Sequence, residues 1–541
     1  MKKLFPLLAF FYCVHLAAQE DAWIFLKDKP DAATYLASPL TMLSQRALDR
    51  RTKQDIAIDS KDVPVDATYY LQIKNATGIT VLAKSKWMNA IHVQGTQTAI
   101  NNLKTTFSFV DTIEFANRAL NAKGVVLQEV TEVKKRNKFA EISTTFNYGN
   151  ATNQIEMLKG DFLHQQGFTG TGMHIAVIDA GFPNVNTLAA YKRLRDNNQI
   201  LGGYDFVNRS TDFYTGHNHG AKVLSDIGAY VENEFVGTAP DASFYLFRTE
   251  DASKETPLEE TLWVEAAERA DSLGVDVINT SLGYTTFDNP NYNYSYADMD
   301  GKTTFISRGA EIGVSRGMIL VNSAGNEGND PWKYMGAPSD AVSVFSVGAV
   351  KASGDIAAFS SFGPTSDSRV KPDVLAQGQG VYVVSHTSSL SYPSDGTSFS
   401  SPIMTGVIAC FWQAFPNLTN TQIMQRIRES ADRYSNPHVQ YGYGIPNFEV
   451  AYEAVLNVDE VSLTQGITVF PNPIKNTFSL KLGPVDLNSI RLQIYNVIGE
   501  MVYEKRNLVS QTIDVSQFKS GIYILKIMNQ TQQKIIKLIK K

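Results

Sequence analysis

Between about residues 147 and 456, the chain alternates short apolar runs with segments of helical pattern. The runs are rich in β-branched residues and lie at 174–178, 243–247, 275–278, 318–322 and 344–347. Continuous apolar runs are typical of strands that are buried on both faces, and residues 261–273 between two of them read as a helix. The pattern predicts an α/β domain whose mostly parallel sheet is covered by helices on both faces.

The patterns on either side of this region are different. Residues 20–135 predict a small α+β unit, with strands at 70–73, 90–93 and 109–113 and a helix at 97–103. After Leu456, short alternating runs recur between turn residues at 467–470, 477–482, 491–495, 512–515, 522–527 and 534–539. About seven strands in roughly 85 residues predict a small β-sandwich, and the lysines of the last run protect an exposed edge strand.

Composition narrows the class of protein. The chain has 541 residues, 43% hydrophobic and 19% charged, which is typical of a globular protein of about three or four domains. A net charge of −5 gives no reason to expect nucleic acid binding. Cys13 and Cys410 are the two cysteines, and Cys410 lies in an apolar helical run. We expect Cys410 to be a buried, inert thiol.

The N-terminus has the pattern of an export signal. Lys2 and Lys3 precede an apolar run at 4–16, which Ala17 and Ala18 follow. This predicts a signal peptide over residues 1–18. A membrane anchor is the alternative, but the run is too short to span a bilayer comfortably.

One serine stands in a conspicuous turn. Gly396-Thr397-Ser398 permits a sharp bend, and we expect Pro402 to occupy the first turn of the apolar helix that follows. A serine at the N-terminus of a buried helix lies in a positive backbone potential, which suits a nucleophile. The alternative is a helix cap, a common role of serine.

Three further polar residues stand where strands end or helices begin. Asp179 ends the first apolar run, Asn326 follows the fourth, and His219 opens a helical pattern. Each taken singly fits a turn residue, a loop amide or a surface histidine. Together with Ser398 they supply a carboxylate, an imidazole, an amide donor and a hydroxyl, the groups that acyl transfer needs. His217 competes with His219, but only His219 is followed by the expected start of a helix.

These residues lie in motifs that resemble those of the subtilisin-like serine proteases. The order Asp, His, Ser is that of subtilisin and not that of an α/β-hydrolase esterase. Two positions depart from the family pattern, since Ala221 and Lys222 replace its Thr and second His. The matching motifs are Val177-Ile178-Asp179-Ala180-Gly181, His219-Gly220-Ala221-Lys222-Val223, Ser323-Ala324-Gly325-Asn326 and Gly396-Thr397-Ser398-Phe399-Ser400-Ser401-Pro402.

The resemblance implies a catalytic triad of Asp179, His219 and Ser398, with Asn326 in the oxyanion hole. It implies an edge strand for extended substrate at Ser281, Leu282 and Gly283. No cofactor is required and no metal ligand set is expected. Residues 284–304 are rich in Asp and Asn that could bind calcium, but no spaced motif supports a site, and we expect a solvated loop.

The flanking regions have resemblances of their own. Residues 19–135 resemble the family's inhibitory propeptide, residues 136–456 form the catalytic domain, and residues 457–541 resemble the sorting domain of the type IX secretion system. A carbohydrate-binding or partner-binding sandwich is the alternative for the last region. Arg50-Arg51 and Lys134-Lys135-Arg136 are possible processing points.

The implied protein is a secreted or surface-located serine endopeptidase, expected to be a monomer. Its partners are a protein or peptide substrate, its own propeptide and the secretion machinery, with no nucleic acid. The alternatives are a non-enzymatic surface protein that binds through the same fold, and an esterase that uses the same serine.

Overall fold

The described part of the N-terminal region, residues 18–121, has four antiparallel strands and four α-helices in the computed structural model. The strand order is the second, third, first and fourth, and the core lies between the sheet and two of the helices. In chain order the elements are β1 (Gln19–Leu26), α1 (Ala32–Ala37), α2 (Gln45–Lys53), α3 (Ala67–Lys74), β2 (Ile79–Ser85), β3 (Ala90–Thr96), α4 (Gln97–Thr106) and β4 (Val110–Phe115).

One strand predicted in this region is wrong. Residues 70–73 lie in α3. Asp66 caps that helix by accepting a hydrogen bond from the backbone N–H of Tyr69 at 2.8 Å. An N-cap of this kind stabilises a helix by about 1 kcal/mol, which is comparable with the full range of β-propensities.

The structure describes residues 18–121, 146–461, 468–481, 491–496, 500–506, 512–528 and 533–541, in two compact units, residues 1–449 and 450–541. The predicted signal peptide, apart from Ala18, and the basic residues 134–136 lie outside the described residues. No helix of the described part is long and apolar enough to cross a membrane.

The five apolar runs of the middle region correspond to five strands of one seven-stranded sheet, in which every pairing is parallel. Helices cover both faces, so the predicted fold class is confirmed. In chain order the strands and helices of this region are α5 (Thr152–Glu156), α6 (Gly160–Gln165), β5 (His174–Asp179), α7 (Lys192–Asp196), β6 (Ile200–Asp205), α8 (His219–Gly228), β7 (Tyr230–Val231), β8 (Phe235–Val236), β9 (Ser243–Arg248), α9 (Pro257–Leu273), β10 (Val277–Thr280), α10 (Phe305–Ser315), β11 (Ile319–Ser323), β12 (Phe345–Val350), β13 (Val374–Gln377), β14 (Val381–Val384), β15 (Ser391–Ser394), α11 (Thr397–Ala414), α12 (Asn420–Glu429) and α13 (Phe448–Val461). Of these, β7 with β8 and β14 with β15 form two separate two-stranded sheets.

The sheet order is β13-β12-β11-β10-β5-β9-β6, with β10 and β5 near the centre. Helix α11 packs against α8 and on β10 to β13. The Cys410 side chain in α11 is fully buried, and burial raises the pKa of its thiol well above the ordinary value. The expectation of a buried thiol is therefore confirmed, and its inertness stays a prediction.

The N-terminal sheet packs on α9 and α10. The Trp23 ring stacks on Phe305 with centroids 4.7 Å apart, and its Nε1 donates to Thr261 Oγ1 at 2.8 Å. Glu268 accepts a hydrogen bond from the Ser85 hydroxyl at 2.6 Å.

Arg50 and Arg51, suggested above as a processing point, lie in α2 and are 5% and 1% exposed. A protease needs an accessible, extended segment, so this pair is not a cleavage site in the folded chain.

The second unit contains seven described strands, the number predicted. They form a three-stranded sheet (β16, β17, β20) and a four-stranded sheet (β19, β18, β21, β22), both antiparallel, with β22 at an edge as expected. Their bounds are β16 (Thr468–Phe470), β17 (Thr477–Lys481), β18 (Arg491–Asn496), β19 (Met501–Arg506), β20 (Thr512–Asp514), β21 (Gly521–Met528) and β22 (Gln533–Lys540).

Candidate active site

Three neighbouring strands end at one point of the sheet. Asp179 is the last residue of β5, Ser281 follows β10, and β11 ends at Ser323, three residues before Asn326. Because these strands are parallel neighbours, their carboxyl ends lie side by side. The polar residues predicted from separate stretches of sequence therefore gather at one edge, where α/β proteins carry their sites.

Asp179 and His219 are in direct contact. Asp179 Oδ1 lies 2.8 Å from His219 Nδ1, and it also accepts the backbone N–H of Ala180 at 2.7 Å. Gly220 makes this approach possible, since a Cβ there would lie 2.9 Å from the Asp179 Cβ and 2.6 Å from the Gly181 oxygen. A larger residue would move α8, and the imidazole with it, away from the carboxylate.

The contact sets the protonation of His219. Burial favours the neutral ring, but the charge and the hydrogen bond of Asp179 outweigh it and raise the pKa of His219 above its ordinary value. The pKa of His217 is instead lowered, by partial burial and by nearby His219. The hydrogen bond to Asp179 is made by His219, the histidine chosen from the sequence.

Ser398 lies in the first turn of α11. The helix begins at Thr397, and Gly396 before it has a φ of +148°, which side chains disfavour. The expectation that Pro402 occupies the first turn is wrong, because it is the sixth residue of the helix. Ser398 is partly exposed at the end of an otherwise buried helix.

The position of Pro402 has a local consequence at Ser398. Proline has no N–H, so the carbonyl oxygen of Ser398, four residues earlier, loses its usual helical partner. That oxygen accepts the hydroxyl of Ser281 at 2.9 Å instead, while Ser398 Oγ donates to the Ser281 carbonyl oxygen at 3.3 Å. The two serines thus tie the start of α11 to the end of β10.

The residue after Ser398 lies near the histidine. The ring of the next residue, Phe399, has its centroid 6.0 Å from that of His219. The hydrogen bond of Ser398 Oγ is made to Ser281 and not to His219 in this structure. Hydrogen bonds between catalytic groups are often long or misaligned before substrate binds, so this geometry is compatible with a role in one site.

Asn326 is held in a defined orientation. Its Oδ1 accepts hydrogen bonds from the backbone N–H of Thr397 at 2.8 Å and from the Thr397 hydroxyl at 3.0 Å. Two donors identify this atom as the oxygen, so the Nδ2 amide is left to donate elsewhere. The side chain is exposed, beside the turn that carries Ser398.

Two supporting residues were not assigned roles from the sequence. Thr397 orients Asn326, as just described. Buried Asn279 accepts the hydroxyls of Ser401 at 3.0 Å and Thr405 at 2.9 Å, and donates to Ser281 Oγ at 3.1 Å. Its position in β10, facing the serine and threonine of α11, is a signal that only the tertiary structure makes readable.

The predicted substrate segment lies beside Ser398. Regular pairing of β10 ends at Thr280, and Ser281, Leu282 and Gly283 follow outside the strands of the described structure. Ser281 is buried, Leu282 is half-buried and Gly283 is exposed. A substrate-binding role for them stays a prediction.

The expectation of a solvated loop over residues 284–304 is wrong for part of the segment. Tyr284, Tyr292 and Met299 are 1%, 5% and 0% exposed. The Tyr292 hydroxyl accepts the backbone N–H of Asp21 in the N-terminal region at 3.3 Å. Among the described residues, no group of three or more His, Cys, Asp or Glu side chains is placed to hold a metal ion.

Three family models match the chain. "Subtilase family" matches residues 170–445, just over half of the chain. "Peptidase S8 propeptide domain, Bacteroidota" matches residues 21–135, and "Secretion system C-terminal sorting domain" matches residues 468–541. The three family resemblances stated from the sequence are thereby shown.

Several characterised proteins are similar to this chain. Subtilisin NAT of Bacillus subtilis subsp. natto is 31% identical over 352 residues, which are 61% of this chain and 81% of that protein. Subtilisin of Bacillus pumilus is 31% identical over 306 residues, 55% of this chain and 97% of that protein. Thermostable alkaline protease of Halalkalibacterium halodurans is 30% identical over 327 residues, which are 59% of this chain and 77% of that protein. The chain belongs to the subtilase family of serine peptidases.

Proposed function

We propose that this protein is a secreted serine endopeptidase that cleaves peptide bonds through an acyl-enzyme intermediate. The observation that carries the proposal is the hydrogen bond between Asp179 and His219 at the sheet edge where the helix of Ser398 begins. An imidazole whose Nδ1 is held by a carboxylate has its Nε2 free to take a proton from a hydroxyl.

In this mechanism Ser398 Oγ attacks the carbonyl carbon of the substrate and passes its proton to His219 Nε2. Asp179 keeps the imidazole in the required tautomer and stabilises its charged form. The tetrahedral oxyanion accepts hydrogen bonds from Asn326 Nδ2 and from the N–H of Ser398, which lies in the first helical turn and has no intrahelical acceptor.

The intermediate collapses when His219 gives the proton to the departing amine, which leaves an ester between Ser398 and the substrate. Water then attacks this ester while His219 takes a proton from it, and His219 returns that proton to Ser398 Oγ as the acid product leaves. Apart from the substrate and this water, only side-chain and backbone groups of the protein enter these steps.

Substrate would bind as an extended strand along Ser281, Leu282 and Gly283. Backbone pairing of this kind gives affinity that does not depend on sequence, while side-chain pockets select residues. The hydrogen bonds between Ser281 and Ser398 support the assignment, because they place the segment beside the nucleophile.

The flanking regions support a secreted precursor. The propeptide would act as a temporary inhibitor, and the C-terminal domain would direct the chain through the type IX secretion system after export by the signal peptide. The active form would be a monomer outside the cell or on its surface.

The proposal is tested by assaying the purified protein on casein and on a simple ester. A serine endopeptidase degrades casein, and this activity is lost when Ser398 is replaced. Hydrolysis of the ester alone would favour an esterase. Absence of both activities in protein freed of its propeptide would favour a binding protein on the same fold.

The activity is expected to fall as the pH is lowered. His219 must be neutral to act as the base, and Asp179 raises its pKa, so the active form is lost on acidification at a pH above the ordinary histidine value of about 6.5. The measurement is kcat/KM on a peptide substrate from pH 5 to 9. The His217→Gln variant is the control and should keep the same acidic limb, whereas a profile flat from pH 5 to 8 would contradict the role of His219.

Replacing Asn326 by alanine is expected to lower kcat by about 10²–10³-fold with little change in KM, the size of this effect in subtilisin. The reason is that the amide donor acts on the oxyanion and not on the uncharged substrate. Steady-state kinetics with Asn329→Ala, an exposed asparagine of the same loop, provide the control. An equal loss in both variants would point to disturbance of the loop and not to an oxyanion contact.

A further inference from the structure

We propose that Ser44–Gln54, here called the arginine arm, holds the propeptide on the catalytic domain after the chain between them is cut. It acts in addition to the N-terminal sheet, which packs on α9 and α10. The proposal rests on the proposed function, since it takes the N-terminal region as a removable inhibitor. The arm consists of α2 with one residue on either side and lies outside the four-stranded sheet.

The arm binds across the amino ends of the three central strands. Arg46 donates to the carbonyl oxygen of Gly172, two residues before β5, and to that of Gly274, three residues before β10, both at 2.9 Å. Gln54 Nε2 donates to the oxygen of Gly317, two residues before β11, at 2.7 Å. One short helix thus contacts the starts of β5, β10 and β11, which are adjacent in the sheet.

Charges on the two sides are complementary. Arg50 and Arg51 form ion pairs with Asp271 of α9, the latter at 2.8 Å, and all three side chains are nearly inaccessible to water. One further ion pair has the charges exchanged between the two regions: Arg316 of the catalytic domain pairs with Asp59 of the propeptide at 3.1 Å. Buried pairs depend on both partners, because a lone buried charge is strongly unfavourable.

The C-terminal end of helix α9 has no cations of its own and receives them from the arm. The helix dipole favours cations near a C-terminus, yet the last turn of α9 has no basic residue and carries Asp271. The arm supplies the missing cations and donors. Arg50 donates to the Val275 oxygen, Arg46 forms an ion pair with Asp276, and the Ser44 N–H donates to the Ser272 oxygen at 2.8 Å.

The anchor lies at the opposite edge of the sheet from the candidate active site. Strands β5 and β10 have six and four residues. At about 3.3 Å per residue, they separate the two edges by roughly 13–20 Å. The arm therefore does not contact the candidate active site directly. Release of the arm, and not only cleavage of the chain, determines when free enzyme appears.

The test uses the full chain with Ser398→Ala, so that binding is measured without catalysis. A recognition sequence for a specific protease is inserted between residues 122 and 145, the chain is cut there, and the dissociation constant of the N-terminal fragment is measured by dilution and size-exclusion chromatography. Combining Arg50→Met and Arg51→Met is expected to weaken binding by about 10²–10³-fold. Gln54→Ala, which removes two hydrogen bonds but no charge, is expected to weaken it about tenfold.

Lys53→Met is the matched control, because Lys53 is an exposed cation of the same helix with no ion pair in the described structure. The proposal holds if the arm variants dissociate more readily than this control. If the double variant does not fold, as judged by circular dichroism of the uncut chain, Gln54→Ala decides. Dissociation constants within twofold of the control would overturn the proposal. Casein hydrolysis by the unmodified chain is measured separately, so a failure of the proposed function is seen independently.

Discussion

The Ser398→Ala variant is expected to lose about 10⁶-fold in kcat on peptide substrates, the loss found when the catalytic serine of subtilisin is removed. Ser398 is a partly exposed serine in the first turn of α11; Asn326 bonds to that turn, and Asp179 and His219 bond to each other. Without the oxygen no acyl-enzyme forms, and the residual rate comes from oxyanion stabilisation and binding alone.

The measurement is kcat on casein-derived peptides, with Ser400→Ala as the matched control. The Ser400 hydroxyl donates to the Thr397 carbonyl oxygen at 3.0 Å within the buried helix, so its loss should change activity only a few-fold. Equal casein degradation by the Ser398→Ala and unmodified proteins would show that another group is the nucleophile. If the Ser398→Ala chain keeps its N-terminal region while the unmodified protein loses it, the enzyme processes itself.

Asp179→Asn is expected to lower kcat by about 10⁴-fold while leaving the fold intact. The asparagine has the same shape, but its amide would donate towards His219 Nδ1. This favours the tautomer that carries its proton on Nε2, which cannot take the proton of Ser398. The effect is on chemistry, so kcat should fall much more than KM changes.

The control for this substitution is Asp205→Asn, because Asp205 is another buried aspartate at the end of a parallel strand and pairs with Arg248 at 2.9 Å. Removing that pair should lower the melting temperature and leave kcat within about tenfold. A comparable loss of kcat in both variants, at temperatures where both are folded, would mean that Asp179 acts only on stability.

The fold of the catalytic domain could be predicted because its signals are local. Runs of β-branched residues separated by helical segments already specify buried parallel strands, and four of the five predicted runs match their strands to within about two residues at either end. The site residues could also be placed, because Asp179, His219 and Asn326 follow or open elements in short motifs that contain glycine. Both the hydrophobic periodicity and the motifs can be read from the local sequence without knowledge of distant contacts.

Features that depend on distant partners could not be predicted. Residues 284–304 are polar in sequence, yet Tyr292 is buried because its hydroxyl meets the N-terminal region more than 270 residues away. In the sequence, Arg50 and Arg51 have the pattern of an exposed dibasic pair. In the structure both are buried and form ion pairs with Asp271. In each case the partner is far away in the chain, and no local pattern reports it.

The sequence by itself determined which residues carry the candidate chemistry, the fold class that presents them, and the three regions of the chain. Only the tertiary structure showed the contact between Asp179 and His219, the histidine already preferred from the sequence, because the close approach at Gly220 sets α8 against β5. It also decided where α11 begins. Pro402 predicted a later start, but the helix extends back to Thr397, since the carbonyl that proline leaves unpaired finds a partner in Ser281, 117 residues earlier than Ser398.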